Sequence, residues 1–161
     1  MTTLKRAFCK AIDFNVDISS WKVSKVKNFD STFYEAFKFD RNIEDWNVAE
    51  AEDMSFMFAY AQIFAQDLSK WRPLKLITMK CMFIDARLFN SDLKEWNVIK
   101  VTDFSETFSG AKAFNGDLSS WVTTNANSMD QMFRNTDVFN SDVSVQYQRL
   151  LLLVFTKTVV I

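Results

Sequence analysis

Trp21, Trp46, Trp71, Trp96 and Trp121 stand 25 residues apart, and they are all the tryptophan in the chain. Two phenylalanine series keep the same step. One runs Phe8, Phe33, Phe58, Phe83, Phe108 and Phe133; the other runs Phe14, Phe39, Phe64, Phe89, Phe114 and Phe139. Looser columns accompany them: Ala11 through Ala111, then Thr136; Ile18, Ile43, Leu68, Leu93, Leu118 and Val143; and Asp17, Asn42, Asp67, Asp92, Asp117 and Asp142. No unit has gained or lost a residue. A repeat free of insertions is what stacked units require, because one extra residue would push a unit out of register with its neighbours.

The apolar period changes within each unit. Phe29, Thr32, Phe33 and Ala36 fall at i, i+3, i+4 and i+7, as do Met54, Met57, Phe58 and Ala61. That spacing predicts one face of a helix of about two turns. Asn28, Asp53, Thr78, Asp103 and Ser128 stand just before these faces as N-caps, and Asp103 with Glu106 and Ser128 with Gln131 read as capping boxes. The pattern Phe39-x-x-x-Ile43-x-x-Trp46-x-Val48 then reads as a turn and a short extended segment. The expected fold is an α/β solenoid: five to six 25-residue strand, turn and short-helix units over residues 3–143, with the Phe and Trp columns stacked as its core.

With two Gly and one Pro where average usage gives roughly ten and eight, turns must be made by Asn, Asp and Ser. Formal net charge is −1, with acids and bases interspersed, so the basic footprint of a nucleic-acid binder is absent. There is no His, and Cys9 and Cys81 are the only cysteines. No thiol–imidazole pair and no Cys/His zinc site can be assembled, and the two thiols lie too far apart along a stack to pair. Gly110 and Gly116 cannot form a phosphate-binding loop. The expectation is a non-enzymatic protein without catalytic, metal or cofactor residues. Met1 to Phe8 contains no apolar run of signal-peptide length, and Leu150 to Phe155 is too short to span a bilayer.

Three features invite a functional reading. The Asp column, with Asn90, Asn115 and Asn140 two residues ahead of it, could hold Ca²⁺; turn-making fits better, because Asn42 and Ala65 interrupt it. The Trp column could stack on sugars, but its Ile and Val neighbours favour a core. Glu44, Asp45 and Glu95 could serve as acid–base carboxylates, yet their positions elsewhere hold Ser19, Ser20, Ser69 and Lys70, as a variable solvated surface would. Ser19, Glu44, Ser69, Lys94 and Ser119, with Lys22, Asn47, Arg72, Asn97 and Val122, are the candidate ligand-facing positions.

The unit seen in Phe89-Asn-Ser-Asp-Leu-Lys-Glu-Trp-Asn-Val98 and Phe114-Asn-Gly-Asp-Leu-Ser-Ser-Trp121 resembles the mycoplasma-type lipoprotein repeat of the BspA-like surface proteins, a superfamily of leucine-rich-repeat-like solenoids. The resemblance covers about residues 3–143. It implies a right-handed stack and a surface protein for adhesion or recognition of protein or glycan ligands, with no catalytic residues. A structural alternative is end-to-end self-association, or a fragment of a larger surface protein. The repeat breaks at Gln146, where a sixth Trp would stand. Residues 144–161 are then an apolar tail that caps the stack, is an artefact of a shifted reading frame, or touches a membrane.

Overall fold

The computed structural model describes residues 1–141. Thr3, Asn28, Asp53, Thr78, Asp103 and Ser128 pair in a single parallel ladder of isolated bridges, each 25 residues from the next. They mark the starts of coil 1 (3–27), coil 2 (28–52), coil 3 (53–77), coil 4 (78–102), coil 5 (103–127) and the described part of coil 6 (128–141). The tail and its alternative readings lie outside the described residues, as do Asp142 and Val143.

The expected α/β solenoid of strand–turn–helix units is not what forms. Among the described residues there is no helix, and extended pairing is confined to the isolated bridges. Where the sequence predicted two helical turns, the chain makes overlapping four-residue turns. In coil 2 the closing bonds are Thr32 N–H to Phe29 O (3.1 Å), Tyr34 to Ser31 (3.3 Å), Ala36 to Phe33 (3.0 Å) and Phe39 to Ala36 (3.0 Å). The alternate N–H groups leave the coil altogether. Phe29, Ser31, Phe33 and Glu35 donate to Asp53, Ser55, Met57 and Ala59 of coil 3 at 2.8–2.9 Å.

Those bonds are incompatible with a helix, which needs every interior N–H for its own i−4 carbonyl. The backbone angles agree: Ser31 and Glu35 have φ of 56° and 54°, and the same two positions in every coil are left-handed. Eleven of these residues are not glycine. Each costs roughly 1–2 kcal/mol against an ordinary conformation. The turn bonds and the bonds to the next coil offset that cost. An isolated two-turn helix rich in Asn, Asp, Ser, Thr and aromatics has little stability to set against them.

The cap residues do cap, but they cap turns. Asn28 Oδ1 accepts the Asp30 N–H at 3.0 Å, Asp53 Oδ1 that of Ser55 at 2.9 Å, and Asp103 Oδ1 that of Ser105 at 2.8 Å. Glu106 and Gln131, the partners of the expected capping boxes, instead occupy left-handed positions at φ 53° and 54°.

The interior is aromatic. Within each coil the two phenylalanines lie face to face, as in Phe33–Phe39 at 3.9 Å and Phe83–Phe89 at 3.9 Å between centroids. Successive coils add a ring at regular spacing: Phe33–Phe58 at 5.5 Å, Phe58–Phe83 at 5.6 Å, Phe83–Phe108 at 5.6 Å and Phe108–Phe133 at 5.7 Å. Phe39, Phe64, Phe89, Phe114 and Phe139 form the parallel column. Trp46, Trp71, Trp96 and Trp121 are buried, whereas Trp21 of coil 1 is 37% exposed. Thr32 and Thr107, the buried hydroxyls on the inner face, each donate to one of two nearby carbonyls, one of them in the preceding coil. Cys9 and Cys81 are free thiols, the second buried.

Candidate functional site

Each coil turns a corner after its second phenylalanine, and polar side chains build that corner. Asn15 Oδ1 accepts the Asp40 N–H at 3.1 Å, Asp40 Oδ1 that of Ala65 at 3.0 Å, Asn90 Oδ1 that of Asn115 at 2.7 Å, and Asn115 Oδ1 that of Asn140 at 2.8 Å. The Asn column therefore ties one coil's backbone to the next. Two residues on, the Asp column closes a turn inside its own coil. Asp17, Asn42, Asp67, Asp92 and Asp117 each accept the N–H two residues ahead at 2.8–2.9 Å. In this role Asn serves as well as Asp. The backbone N–H of Ser69 holds the Asp67 carboxyl below the usual carboxylate range, and the Ser119 hydroxyl and N–H do the same for Asp117. Among the described residues no group of three or more Cys, Asp or Glu is placed to hold a metal ion.

The Asx turn at Asn42 sends Glu44 and Asp45 outward before Trp46 turns back into the core. Asn47 again points out, held by its own turn to the Ala49 N–H at 3.1 Å, and Val48 is buried. Coil 3 repeats the path with Lys70 and Arg72. Together Glu44, Asp45, Trp46, Asn47, Val48, Lys70 and Arg72 line a cleft of about 320 Å³. Lys70 Nζ bridges Glu44 Oε1 at 2.6 Å and Asp45 Oδ1 at 3.4 Å, and these carboxylates raise its pKa. Arg72 donates to the carbonyls of Ser69 (2.7 Å) and Trp71 (3.0 Å), and its other nitrogen lies 3.7 Å from Glu95.

Of the candidate ligand-facing residues, Glu44, Asn47 and Arg72 meet in this cleft. Lys94 lies farther along the stack, paired with Asp117 at 3.3 Å. Ser69 gives its hydroxyl to Asp67 at 2.9 Å, and Ser119 and Asn97 take part in turns. Glu44 and Asp45 are therefore paired with Lys70, and Glu95 with Arg72, each across a coil boundary. Next to Arg72 and Asn97, Leu74 and Ile99 are 52% and 43% exposed on adjacent coils. The cleft itself offers charged donors and carboxylate acceptors.

A second cleft, of about 370 Å³, is lined by residues that include Asp85, Glu106, Gly110, Lys112, Arg134 and Asp137. Its origin is local. The left-handed column that holds Tyr60, Asp85 and Asn135 has no side chain at Gly110, and the Asp85 carboxylate leans into the gap, 2.9 Å from where a Cβ would stand. Sequence reasoning missed it. The one available signal was Gly110 itself, a glycine in a column that otherwise carries side chains.

Among the described residues no helix is long and apolar enough to cross a membrane. A family profile described as "Mycoplasma protein of unknown function, DUF285" matches residues 1–83 and, again, residues 64–149. No curated protein and no solved structure matches the chain.

Proposed function

The chain belongs to the Mycoplasma DUF285 family, and from that footing we propose that it is a non-enzymatic repeat scaffold whose variable face recognises a protein or glycan ligand. The observation that carries this reading is the cleft between coils 2 and 3. There Glu44 and Asn47 of coil 2 converge with Lys70 and Arg72 of coil 3, at positions that hold different residues from coil to coil, and Leu74, two residues after Arg72, exposes an apolar side chain. Rigid presentation limits the entropy lost on binding. The Phe-Asn-x-Asp, Trp and Met-Phe spacing supports kinship with the BspA-like surface repeats and, with it, an adhesive role at a cell surface.

The test is to probe the purified chain against an array of neutral, sialylated and sulfated glycans and a panel of immobilised extracellular matrix proteins. Wild type is compared with an Arg72→Ala, Leu74→Ser double variant and with Lys112→Ala, which lies in the second cleft and not in the first. Binding of at least one probe that the double variant weakens about tenfold, about 1.4 kcal/mol, while Lys112→Ala leaves it unchanged, supports the reading. No binding by wild type, or equal binding by all three, overturns it.

A further inference from the structure

The stack has a hydrogen-bonding direction. Over the turn-rich half of each coil an N–H donates to the carbonyl 24 residues later, as from Leu4 to Asn28 (2.9 Å), Phe29 to Asp53 (2.8 Å) and Phe104 to Ser128 (2.8 Å). Just before each bridge the sense reverses, as from Lys27 N–H to Thr2 O (2.9 Å) and from Asn127 N–H to Thr102 O (2.7 Å). Coil 1 therefore turns the carbonyls of Thr3, Lys5, Ala7 and Cys9 outward, and none has a donor among the described residues. Coil 6 turns out the N–H groups of Met129, Gln131, Phe133 and Asn135, and none has an acceptor among the described residues. Unpaired rows of this kind are templates for further pairing.

We propose that these two edges join between copies of this chain, coil 6 of one docking head to tail on coil 1 of the next. The register closes without adjustment. Coils 1 and 6 are separated by a whole number of 25-residue units, so Met129 meets Thr3, Gln131 meets Lys5, Phe133 meets Ala7 and Asn135 meets Cys9. The rings of Phe133 and Phe139 then cover Phe8 and Phe14, which are only partly buried within the chain. Trp21, 37% exposed on the coil 1 side of the described residues, also lies in this interface. Charge assists: coil 1 carries six basic and two acidic side chains, whereas coil 6 through Ser141 carries one Arg and two Asp. A head-to-tail contact of this kind leaves the same two edges free on the dimer, so it propagates into a filament.

This inference is independent of the ligand reading above. The competing occupant of the coil 6 edge is the chain's own segment after Ser141. The two are separated by disulfide trapping in the full chain. Arg134 holds the position in coil 6 that Cys9 holds in coil 1, so an Arg134→Cys thiol in the docked pair lies about 5 Å, Cα to Cα, from the next copy's Cys9, within disulfide range. Within one chain the same two positions are five coils apart, about 24 Å. Cys81 is 3% exposed and does not compete.

Under mild oxidation with copper phenanthroline, Arg134→Cys should give a ladder of covalent oligomers about tenfold or more faster than Val138→Cys, an exposed control on the same coil. The ladder should disappear when Cys9→Ser is added. Wild-type mass in sedimentation velocity should rise from micromolar to submillimolar concentration. Cross-linking no faster than the control, a product that persists without Cys9, or a monomer throughout the concentration range overturns the proposal.

Discussion

The indole N–H of Trp71 donates to the carbonyl oxygen of Ile43, 28 residues earlier, at 3.0 Å. The same oxygen accepts the backbone N–H of Trp46, which closes the turn in its own coil, at 3.0 Å. One carbonyl thus holds a turn and pins the next coil to it. Trp46 to Ile18 (3.1 Å), Trp96 to Leu68 (3.2 Å) and Trp121 to Leu93 (2.9 Å) repeat the bond. Burial alone would accept Phe at this column; the bond is a physical reason for Trp.

Trp71→Phe keeps an aromatic ring and removes the donor. The cost should be about 1–3 kcal/mol, from the lost bond and the smaller ring. Trp21→Phe, on an exposed ring with no acceptor among the described residues, should cost under about 0.5 kcal/mol. Urea midpoints for the two variants check the difference, and equal shifts would remove the bond as the explanation.

Phe83 is fully buried, with Phe58 and Phe108 on either side in the column and Phe89 stacked on it at 3.9 Å. Phe83→Ala should destabilise by about 3–5 kcal/mol, a large share of a domain's total. Phe8→Ala, in the half-covered first coil, should cost less than half of that. Because repeat stacks can melt in parts, the Phe8 variant should fray coil 1 ahead of the rest, which hydrogen exchange resolves coil by coil.

A Cβ at Gly116 would collide with the Ser91 carbonyl oxygen and lie 3.0 Å from the Phe114 ring. The clash is with backbone, so relief means moving coil 4 away from coil 5. Gly116→Ala should cost about 1–3 kcal/mol. Thermal unfolding measures it, and a neutral result would mean that the coils part there without penalty.

The chain has no His, so no side chain with an ordinary pKa titrates near neutrality. Asp17, Asp67 and Asp117 have pKa values lowered below 3.8, chiefly by the N–H or hydroxyl of the serine two residues on. A depressed folded-state pKa contributes stability that is present above the unfolded value and lost as pH falls through the folded one. Lys27, Lys38 and Lys70 are shifted up by Glu52, Asp13 and Glu44, so their contribution is lost only in strong alkali. Melting temperature should be flat from about pH 6 to about pH 9 and fall below about pH 4. A step near neutrality would contradict this assignment.

Part of the candidate site was open to sequence reasoning. Glu44, Asn47 and Arg72 stood out because they vary inside a strict repeat, and they do share a cleft. The ion pairs that restrain them were not visible, because Glu44 to Lys70 and Arg72 to Glu95 cross between coils at separations other than 25. The Asn column looked like a companion of the Asp turns. Its bonds to the next coil's backbone required knowing which face the side chain takes. The second cleft depends on what a missing side chain uncovers, and a linear pattern does not register space.

The sequence by itself determined the period of 25, the aromatic columns and the residues that would have to make turns in place of glycine and proline. These are statements about position, and a strict repeat carries position without error. It did not determine the conformation of the segment after each bridge residue. Apolar residues at i, i+3, i+4 and i+7 fit two turns of helix and a staircase of four-residue turns equally well, because eight residues are too few to separate a period of 3.6 from one of 4. The tertiary structure decided between them. Only stacking supplies carbonyls such as those of Asp53, Ser55, Met57 and Ala59 for every second N–H of coil 2, and those bonds hold Ser31 and Glu35 in a left-handed conformation that no local preference would choose.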